Sequence, residues 1–229
     1  MAKGAERASP RENRVKTTMH FLRELNEHND RTWFNAHRDE YEEARREFAE
    51  FVQTLIFRIS AFDPLDGLTA ADCIFRIHRD VRFAADKRPF KTNMGAAIRP
   101  GGRRSVLAPY YIHIEPEGSF LGGGLHQPSP AELAKLRAAI AADAGQFYTV
   151  FAKPAFFDYF GPIQGDKLKS SPRNYPKDHP AIELLRHTSL VAMHNFADSE
   201  VVAADFVDCV VDGCQRMKPF LDLLNRVMR

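Results

Sequence analysis

The strongest constraint on the fold is a helical repeat of apolar residues across positions 33–62. Large apolar side chains recur there every three or four positions, with charged residues between them. This spacing places the apolar side chains along one side of an α-helix, and that side requires a second layer of structure to cover it. Asp30 is expected to cap the helix and Pro64 to end it. The apolar stripe consists of Trp33, Tyr41, Ala44, Phe48, Phe51, Val52, Leu55, Ile56, Ile59 and Phe62.

Residues 107–125 carry a second pattern, which is typical of an antiparallel β-hairpin. Apolar and polar side chains alternate over residues 107–115, and a turn at 116–118 leads into a second strand at 119–125. The second strand contains three consecutive glycines, which usually mark close approach by another segment or by a ligand. The side chains expected to face the core are Tyr110, Ile112 and Ile114.

The remaining patterns indicate the fold class. Further strands are expected at residues 73–80, 94–99 and 190–196. Helices are expected at residues 18–28, 154–160 and 180–187, after a capping box at Ser129 through residue 151, and from a cap at Asp198 to the C-terminus. Strands in the middle of the chain, with helices before and after them, indicate an α+β fold with one mainly antiparallel sheet and helices packed against it.

Composition limits the organisation and the environment of the chain. With 229 residues it is expected to form a single α+β domain at residues 17–229, preceded by a polar, disordered tail at residues 1–16. No apolar run reaches the roughly 18 residues that span a bilayer, and no signal peptide is recognisable. Cys73, Cys209 and Cys214 lack the spacing of a disulfide framework or a zinc site. We therefore expect a cytoplasmic protein without a membrane partner. We assign no metal-ligating residues, and leave its cofactors, metal dependence and oligomeric state open.

The most uneven charge distribution lies in residues 73–104, which we call the basic segment. It contains nine Lys and Arg residues against two Asp residues, in a chain whose net charge is only +2. Like charges this close repel one another unless they are spread in solvent or share an anion. Arginine pairs well with planar oxyanions, and glycines near it can expose backbone N–H groups. The cations expected to converge on an anion, together with a carboxylate, are Arg76, Arg79, Arg82, Lys87 and Lys91.

Three interpretations of the basic segment remain open. It is a solvated surface whose arginines pair with Asp80 and Asp86, a site for a phosphate or carboxylate group, or a surface that binds the backbone of nucleic acid. We favour an anion-binding cleft for a small ligand, built from this segment, the glycine-rich hairpin and the proline-rich loop at residues 162–180. The alternatives are an enzyme acting on a phosphorylated or carboxylated small molecule, and an adaptor for nucleic acid or protein.

Three residues are candidates for acid–base chemistry. His113 and Glu115 lie two residues apart on the polar side of one predicted strand, a spacing that suits a proton-transferring pair. Asp80 lies on the polar side of the predicted strand at 73–80, and the three would form one site only if the two polar sides adjoin. The triplet at 78–80 has the letters of a kinase catalytic loop, but position 85 is alanine where that loop needs asparagine.

The position of each cation also predicts its burial. Arg76 would lie within the predicted strand at 73–80, whereas Arg88, Arg103 and Arg104 would lie in loops beside proline or glycine. We therefore expect Arg76 to be the most buried of these four side chains, and to depend on partners that compensate its charge.

Four segments of the chain resemble the signature blocks of a known family. They are NDRTWF (29–34), FRIHRDVRFAADKRPFK (75–91), FLGGGLHQP (120–128) and LKSSPRNYPKDHP (168–180). Together they are similar to the uncharacterised bacterial and fungal family named domain of unknown function 2461, over about residues 17–228. Phe90 departs from the resemblance, because a tyrosine is usual there. The resemblance implies no activity, but it implies a shared basic motif with signature positions Arg76, Arg79, Asp80, Arg82, Phe83, Asp86, Lys87, Pro89 and Lys91.

Overall fold

The computed structural model describes residues 15–229 and begins with three helices in close succession. They are α1 (Lys16–Glu27), α2 (Arg31–Ala36) and α3 (Arg38–Ile59). As predicted, Asp30 caps a helix, because its carboxylate accepts hydrogen bonds from the N–H groups of Thr32 and Trp33 at 2.8 and 2.9 Å. The prediction of a single helix across residues 33–62 is wrong. The backbone of His37 is not helical, with φ −109° and ψ 28°, and it separates α2 from α3.

The tail predicted at residues 1–16 overlaps the described part of the chain only at residues 15 and 16. Val15 is fully buried and Lys16 is the first residue of α1. The tail predicted at residues 1–16 otherwise lies outside the described residues.

A four-stranded antiparallel sheet, with strand order β1-β2-β3-β4, forms the centre of the domain. Its strands are β1 (Met94–Ile98), β2 (Tyr110–Ile114), β3 (Phe120–Leu125) and β4 (Leu190–Asn195). The predicted hairpin of β2 and β3 is confirmed, and its expected core residues Tyr110, Ile112 and Ile114 are buried. Tyr111 and His113 lie on the opposite side of the sheet, which we call the open face.

The strand predicted at residues 73–80 is wrong. A capping box between Thr69 and Asp72 turns the start of this stretch into a short helix, α4 (Ala70–Cys73). The chain after it is extended but meets the sheet only at an isolated bridge, between Ile74 and Ala96. The local cap therefore takes precedence over the alternating pattern that suggested a strand.

Residues 77–91 instead fold back on themselves as a two-stranded ribbon, which we call the basic ribbon. The N–H of Arg79 donates to the carbonyl of Pro89 at 2.9 Å, and the N–H of Lys91 donates to that of Ile77 at 2.8 Å. Asn29 fixes the base of the ribbon, because its side-chain amide exchanges two hydrogen bonds of 3.1 Å with the backbone of Phe90. The Phe90 ring is buried and stacks on the ring of Phe34, so Phe90 is part of the hydrophobic core.

The C-terminal half is mainly helical. Its elements are α5 (Pro130–Ala142), α6 (Gly145–Phe151), α7 (Pro154–Phe160), α8 (Ile182–Leu185), α9 (Asp198–Val201) and α10 (Phe206–Met228). The capping box at Ser129 is confirmed, but the helix it opens ends at Ala142. Asp198 does not cap the last helix as predicted, since it opens α9, and α10 starts eight residues later.

Helices α3 and α10 cover the core side of the sheet. Phe51 of α3 stacks on Phe206 of α10, with ring centroids 5.5 Å apart and planes 6° apart. Gly123 lets α10 approach β3 closely, because a Cβ at this position would lie 2.1 Å from Sδ of Met217. The predicted α+β architecture is thus confirmed, and the helices leave the open face of the sheet available. Within residues 15–229, no helix combines the length and apolar character needed to cross a bilayer.

Candidate functional site

A cavity of about 780 Å³ lies on the open face, and we call it the sheet cleft. Its size is in the range of pockets that bind small molecules. Its walls include parts of the three segments that the sequence analysis grouped together: the basic segment, the glycine-rich strand β3 and the loop at residues 162–180. These segments contribute Phe75, Lys91, Gly122, Gly123, Gly124, Gln164, Gly165 and Asp166.

Glycines shape the floor of the sheet cleft. Gly122 lies opposite Tyr111 in the register of β2 and β3 and leaves that position without a side chain. Gly124 has φ +121°, and a Cβ there would lie 2.2 Å from the carbonyl oxygen of Leu190, so only glycine fits. On β1, a Cβ at Gly95 would lie 2.5 Å from the hydroxyl oxygen of Tyr111. The phenol group therefore rests directly against the β1 backbone.

A chain of hydrogen bonds runs along the side of the sheet cleft. Thr92 Oγ1 donates to Glu115 Oε1 at 2.6 Å, and Glu115 Oε2 lies 3.0 Å from Nε2 of His113. The other ring nitrogen of His113, Nδ1, lies 3.2 Å from the hydroxyl oxygen of Tyr111. We call these four residues the polar relay. Through Thr92, the residue after the basic ribbon, the polar side of β2 adjoins the basic segment.

The contacts of the polar relay fit one arrangement of protons. With Glu115 as an ionised carboxylate, which can only accept, Nε2 of His113 would donate to it. In a neutral imidazole with that tautomer, Nδ1 would accept from the hydroxyl of Tyr111. Burial, and secondarily the charge of Glu115, raise the pKa of Tyr111, which keeps its hydroxyl protonated.

Aromatic packing holds this arrangement in place. The imidazole of His113 stacks on the ring of Phe120, its partner on β3, with centroids 4.6 Å apart and planes 16° apart. The ring of Phe75 meets Tyr111 edge to face at 6.2 Å. The side chain of His113 is only 12% exposed. Ring orientations in the polar relay are therefore set by packing as well as by hydrogen bonds.

Lys91 is the cation of the basic ribbon that borders the sheet cleft. Its amine lies 5.6 Å from the centroid of the Phe75 ring. Burial, and then the positive charge of Arg76, lower the pKa of Lys91. Within residues 15–229 neither Lys91 nor Arg76 forms an ion pair with a carboxylate. Lys91, at the edge of the cleft, and its neighbour Arg76, outside it, thus have no carboxylate in contact.

Three of the other predicted cations, Arg79, Arg82 and Lys87, lie in the basic ribbon and are bonded within it. Arg82 pairs with Asp80 at 2.6 Å, and Asp86 is shared by Arg79 at 2.7 Å and Arg88 at 2.9 Å. Lys87 donates to the carbonyl of Val81 at 3.2 Å. Of the five cations expected to converge, only Lys91 borders the sheet cleft.

Asp80, a candidate for acid–base chemistry, lies in the basic ribbon and does not border the sheet cleft. Hydrogen bonds from Arg82 hold the pKa of Asp80 below the ordinary value.

The expectation that Arg76 is more buried than Arg103 is wrong. Arg76 is exposed because residues 74–78 are not a strand within the sheet, whereas Arg103 is half-buried and donates to the carbonyl of Ala71.

Sequence reasoning identified His113 and Glu115 but missed two members of the polar relay. Tyr111 lies on the same side of β2 as these two, at the same two-residue spacing, so the alternation that selected His113 could also have selected it. Thr92 precedes β1 and is 23 positions from Glu115. No local pattern signals that contact, which follows from the pairing of β1 with β2.

The fold and the cleft together define a class: an α+β domain whose antiparallel sheet is covered by helices on one face and carries a ligand-sized cleft on the other. Over residues 17–223 the chain matches the model of a family described as conserved hypothetical protein (DUF2461). The protein belongs to this family, as the resemblance indicated. No curated protein and no solved structure matches the chain. In the part of the chain that the structure describes, no three His, Cys, Asp or Glu side chains are grouped so as to hold a metal ion.

Proposed function

We propose that the protein binds a small molecule with a phosphate or carboxylate group in the sheet cleft, and that Lys91 is its main cationic contact. The observation that carries the proposal is the environment of the Lys91 amine. It is half-buried at the cleft wall, beside the like charge of Arg76 and without a carboxylate in contact. An ammonium group in this position is unfavourable by itself, and a bound anion would compensate its charge.

Apolar parts of the remaining walls suit the uncharged part of such a ligand, and the charged residues Arg99, Glu132 and Asp166 line these walls as well. Ala97, Pro109, Val191 and Met193 present an apolar surface, while His113 and Tyr111 provide polar atoms at one side. A largely apolar pocket with a few polar groups is the usual form of a small-molecule site. We therefore expect an organic anion with an apolar body, rather than free phosphate, to bind most tightly.

The arrangement of the basic ribbon favours this function over nucleic-acid binding. Three of its arginines are already paired with Asp80 and Asp86. Binding to a nucleic-acid backbone depends on several cations that are available to neutralise phosphates. The internal ion pairs reduce the number available in the ribbon.

The test is binding of simple anions, measured by isothermal titration calorimetry with inorganic phosphate, phenyl phosphate, benzoate and citrate. We expect phenyl phosphate or benzoate to bind more tightly than inorganic phosphate. Lys91→Ala should weaken binding by about tenfold or more, the order expected for loss of a charge-assisted contact. Lys16→Ala removes an exposed lysine of α1 and should leave binding unchanged. Equal affinities of both variants for every anion would contradict the proposal.

A second measurement addresses the adaptor alternative. Fluorescence anisotropy with a labelled single strand and a labelled duplex, at two salt concentrations, reports backbone binding through its steep salt dependence. We expect no binding at low salt. Tight, salt-dependent binding that is lost in Arg82→Ala and kept in Lys91→Ala would favour the adaptor function instead.

A further inference from the structure

We propose that the hydroxyl oxygen of Tyr111 is a nucleophile, that His113 is the base that takes its proton, and that Glu115 positions the imidazole. The substrate class is a carboxylic or phosphoric ester that fits the sheet cleft. This inference rests on the proposed function only for the acidic group of that substrate, because the chemistry itself belongs to the polar relay.

The geometry has the three parts that activate a hydroxyl nucleophile. A hydroxyl lies within reach of an imidazole nitrogen, at 3.2 Å from Tyr111 Oη to His113 Nδ1. The other nitrogen of that imidazole lies 3.0 Å from the carboxylate of Glu115. This order of nucleophile, imidazole and carboxylate is the one that serine hydrolases use on several unrelated folds. The carboxylate sets the tautomer that leaves Nδ1 able to accept a proton.

The carboxylate is itself held in position. Oε1 of Glu115 accepts a hydrogen bond from Thr92 at 2.6 Å, so Oε2 is directed to His113. Phe120 stacks on the imidazole and fixes its plane. The orientation of the base thus depends on contacts from β3 and from the segment before β1, as well as on its own strand.

The nucleophile borders the space where a substrate would lie. Tyr111 and His113 both line the sheet cleft. Lys91 lines it as well, and its amine lies over the ring of Phe75, which packs against Tyr111. The absence of a side chain at Gly95 allows the phenol oxygen to approach the β1 backbone. Burial raises the pKa of Tyr111, so this oxygen is not a free phenolate and depends on His113 for its reactivity.

The reaction would proceed in two steps. In the first, Tyr111 Oη forms a bond to the carbonyl carbon or phosphorus of the ester, its proton moves to His113 Nδ1, and the alcohol leaves with that proton. In the second, water attacks the acylated or phosphorylated tyrosine, His113 removes a proton from the water, and the proton returns to the oxygen of Tyr111. The net reaction is hydrolysis of the ester, with no oxidant or reductant.

A neutral sulfonyl fluoride tests this reactivity without knowledge of the substrate. With phenylmethanesulfonyl fluoride, the bond from Tyr111 Oη to sulfur forms, the sulfur–fluorine bond breaks, fluoride leaves and the proton passes to His113. Peptide mass spectrometry should locate the adduct on half-buried Tyr111 in preference to Tyr148, which is 46% exposed. Tyr111→Phe should carry no such adduct, and Tyr148→Phe should react as the unaltered protein does.

Three further variants separate the roles. His113→Asn should slow the labelling of Tyr111 by about tenfold or more, the scale of a lost general base. Glu115→Gln should slow it as well, because an amide can donate to Nε2 and so change the tautomer. Lys16→Ala, at an exposed residue of α1 outside the sheet cleft, should react at the original rate. Because the probe is uncharged, its reaction does not require a bound anion. Labelling of Tyr111 in a protein that binds none of the tested anions would therefore separate the two proposals.

The protein without substitutions provides a test that does not depend on the folding of any variant. A long-range ¹H–¹⁵N NMR spectrum of the histidine rings reports which nitrogen of His113 carries the proton. We expect protonation at Nε2, and protonation at Nδ1 alone would overturn the proposal. Labelling of Tyr148 in preference to Tyr111, or labelling of Tyr111 at the original rate in a folded His113→Asn protein, would also overturn it.

Discussion

Nε2 of His113 lies 3.0 Å from Oε2 of Glu115, two residues further along the chain. Tyr111 lies two residues before His113, and its hydroxyl reaches the other ring nitrogen. Side chains at this spacing point to the same side of a strand, so β2 and the residue after it place all three groups on the open face. The polar relay therefore depends on the register of β2, which the buried Tyr110, Ile112 and Ile114 secure from the other side.

The first prediction concerns the close contact between the Tyr111 hydroxyl and the β1 backbone at Gly95. Gly95→Ala would place a Cβ 2.5 Å from this oxygen, so the phenol group must move away from the β1 backbone. We expect slower labelling of Tyr111 by phenylmethanesulfonyl fluoride and a lower melting temperature. In a Tyr111→Phe background the same alanine should lower the melting temperature less, since the hydroxyl is gone. Unchanged labelling in Gly95→Ala would show that the hydroxyl does not lie where the structure places it.

The second prediction concerns the helical layer. Phe51 is 1% exposed and stacks on Phe206, so Phe51→Ala leaves a cavity between α3 and α10 and should lower the free energy of unfolding by about 3 kcal/mol. Phe57, on the same helix, is 77% exposed and is the matched control. Phe57→Ala should change the free energy by less than about 0.5 kcal/mol. Urea denaturation measures both values, and equal effects would mean that α3 does not pack by its predicted stripe.

Local sequence patterns were sufficient to predict the structure where one short stretch determines both the secondary structure and the direction of its side chains. The alternation around Ile112 predicts the strand and also the side on which His113 and Glu115 lie, because a buried face permits only one register. Ser129 and Asp30 cap helices through contacts with residues two or three positions away. These features needed no knowledge of the rest of the chain.

Sequence reasoning failed where distant segments decide the outcome. Residues 77–79 pair with residues 89–91, and the presence of Pro89 in one arm made a ribbon hard to foresee. The exposure of Arg76 and the pairing of Arg79 with Asp86 follow from that ribbon, which replaces the predicted strand. The contact of Thr92 with Glu115 depends on sheet pairing across 23 positions. The chemistry of the candidate site was therefore predicted in part. Lys91 was among the predicted cations, but its position at the sheet cleft without the other four could only be found in the structure.

The third prediction concerns the pH dependence of the basic ribbon. A hydrogen bond from the N–H of Arg88, followed by those of the Arg79 and Arg88 side chains, holds the pKa of Asp86 well below its ordinary value. The stabilisation by this carboxylate is present above the ordinary pKa of aspartate. It is lost as the pH falls through the lower pKa of the folded state.

Hydrogen exchange of the Arg79 and Lys91 amides, which close the ribbon, measures this effect as protection factors. Asp86→Asn should reduce the protection at neutral pH, and the difference from the unaltered protein should narrow below about pH 4, where the unfolded carboxyl is protonated. Exposed Asp66, changed to Asn, is the control and should leave protection unchanged. A difference for Asp86→Asn that stays constant down to acidic pH would contradict the assignment.

The central claim is that an anion binds beside Lys91 in the sheet cleft, and anomalous diffraction tests it directly. Crystals grown without sulfate or phosphate and then soaked in selenate would reveal the anion through the selenium signal. We predict a selenium peak in the sheet cleft, with a selenate oxygen about 3 Å from Nζ of Lys91, and no peak there in crystals of Lys91→Ala. Selenate bound only along the basic ribbon, at Arg82 or Lys87, with the sheet cleft accessible and empty, would contradict the account.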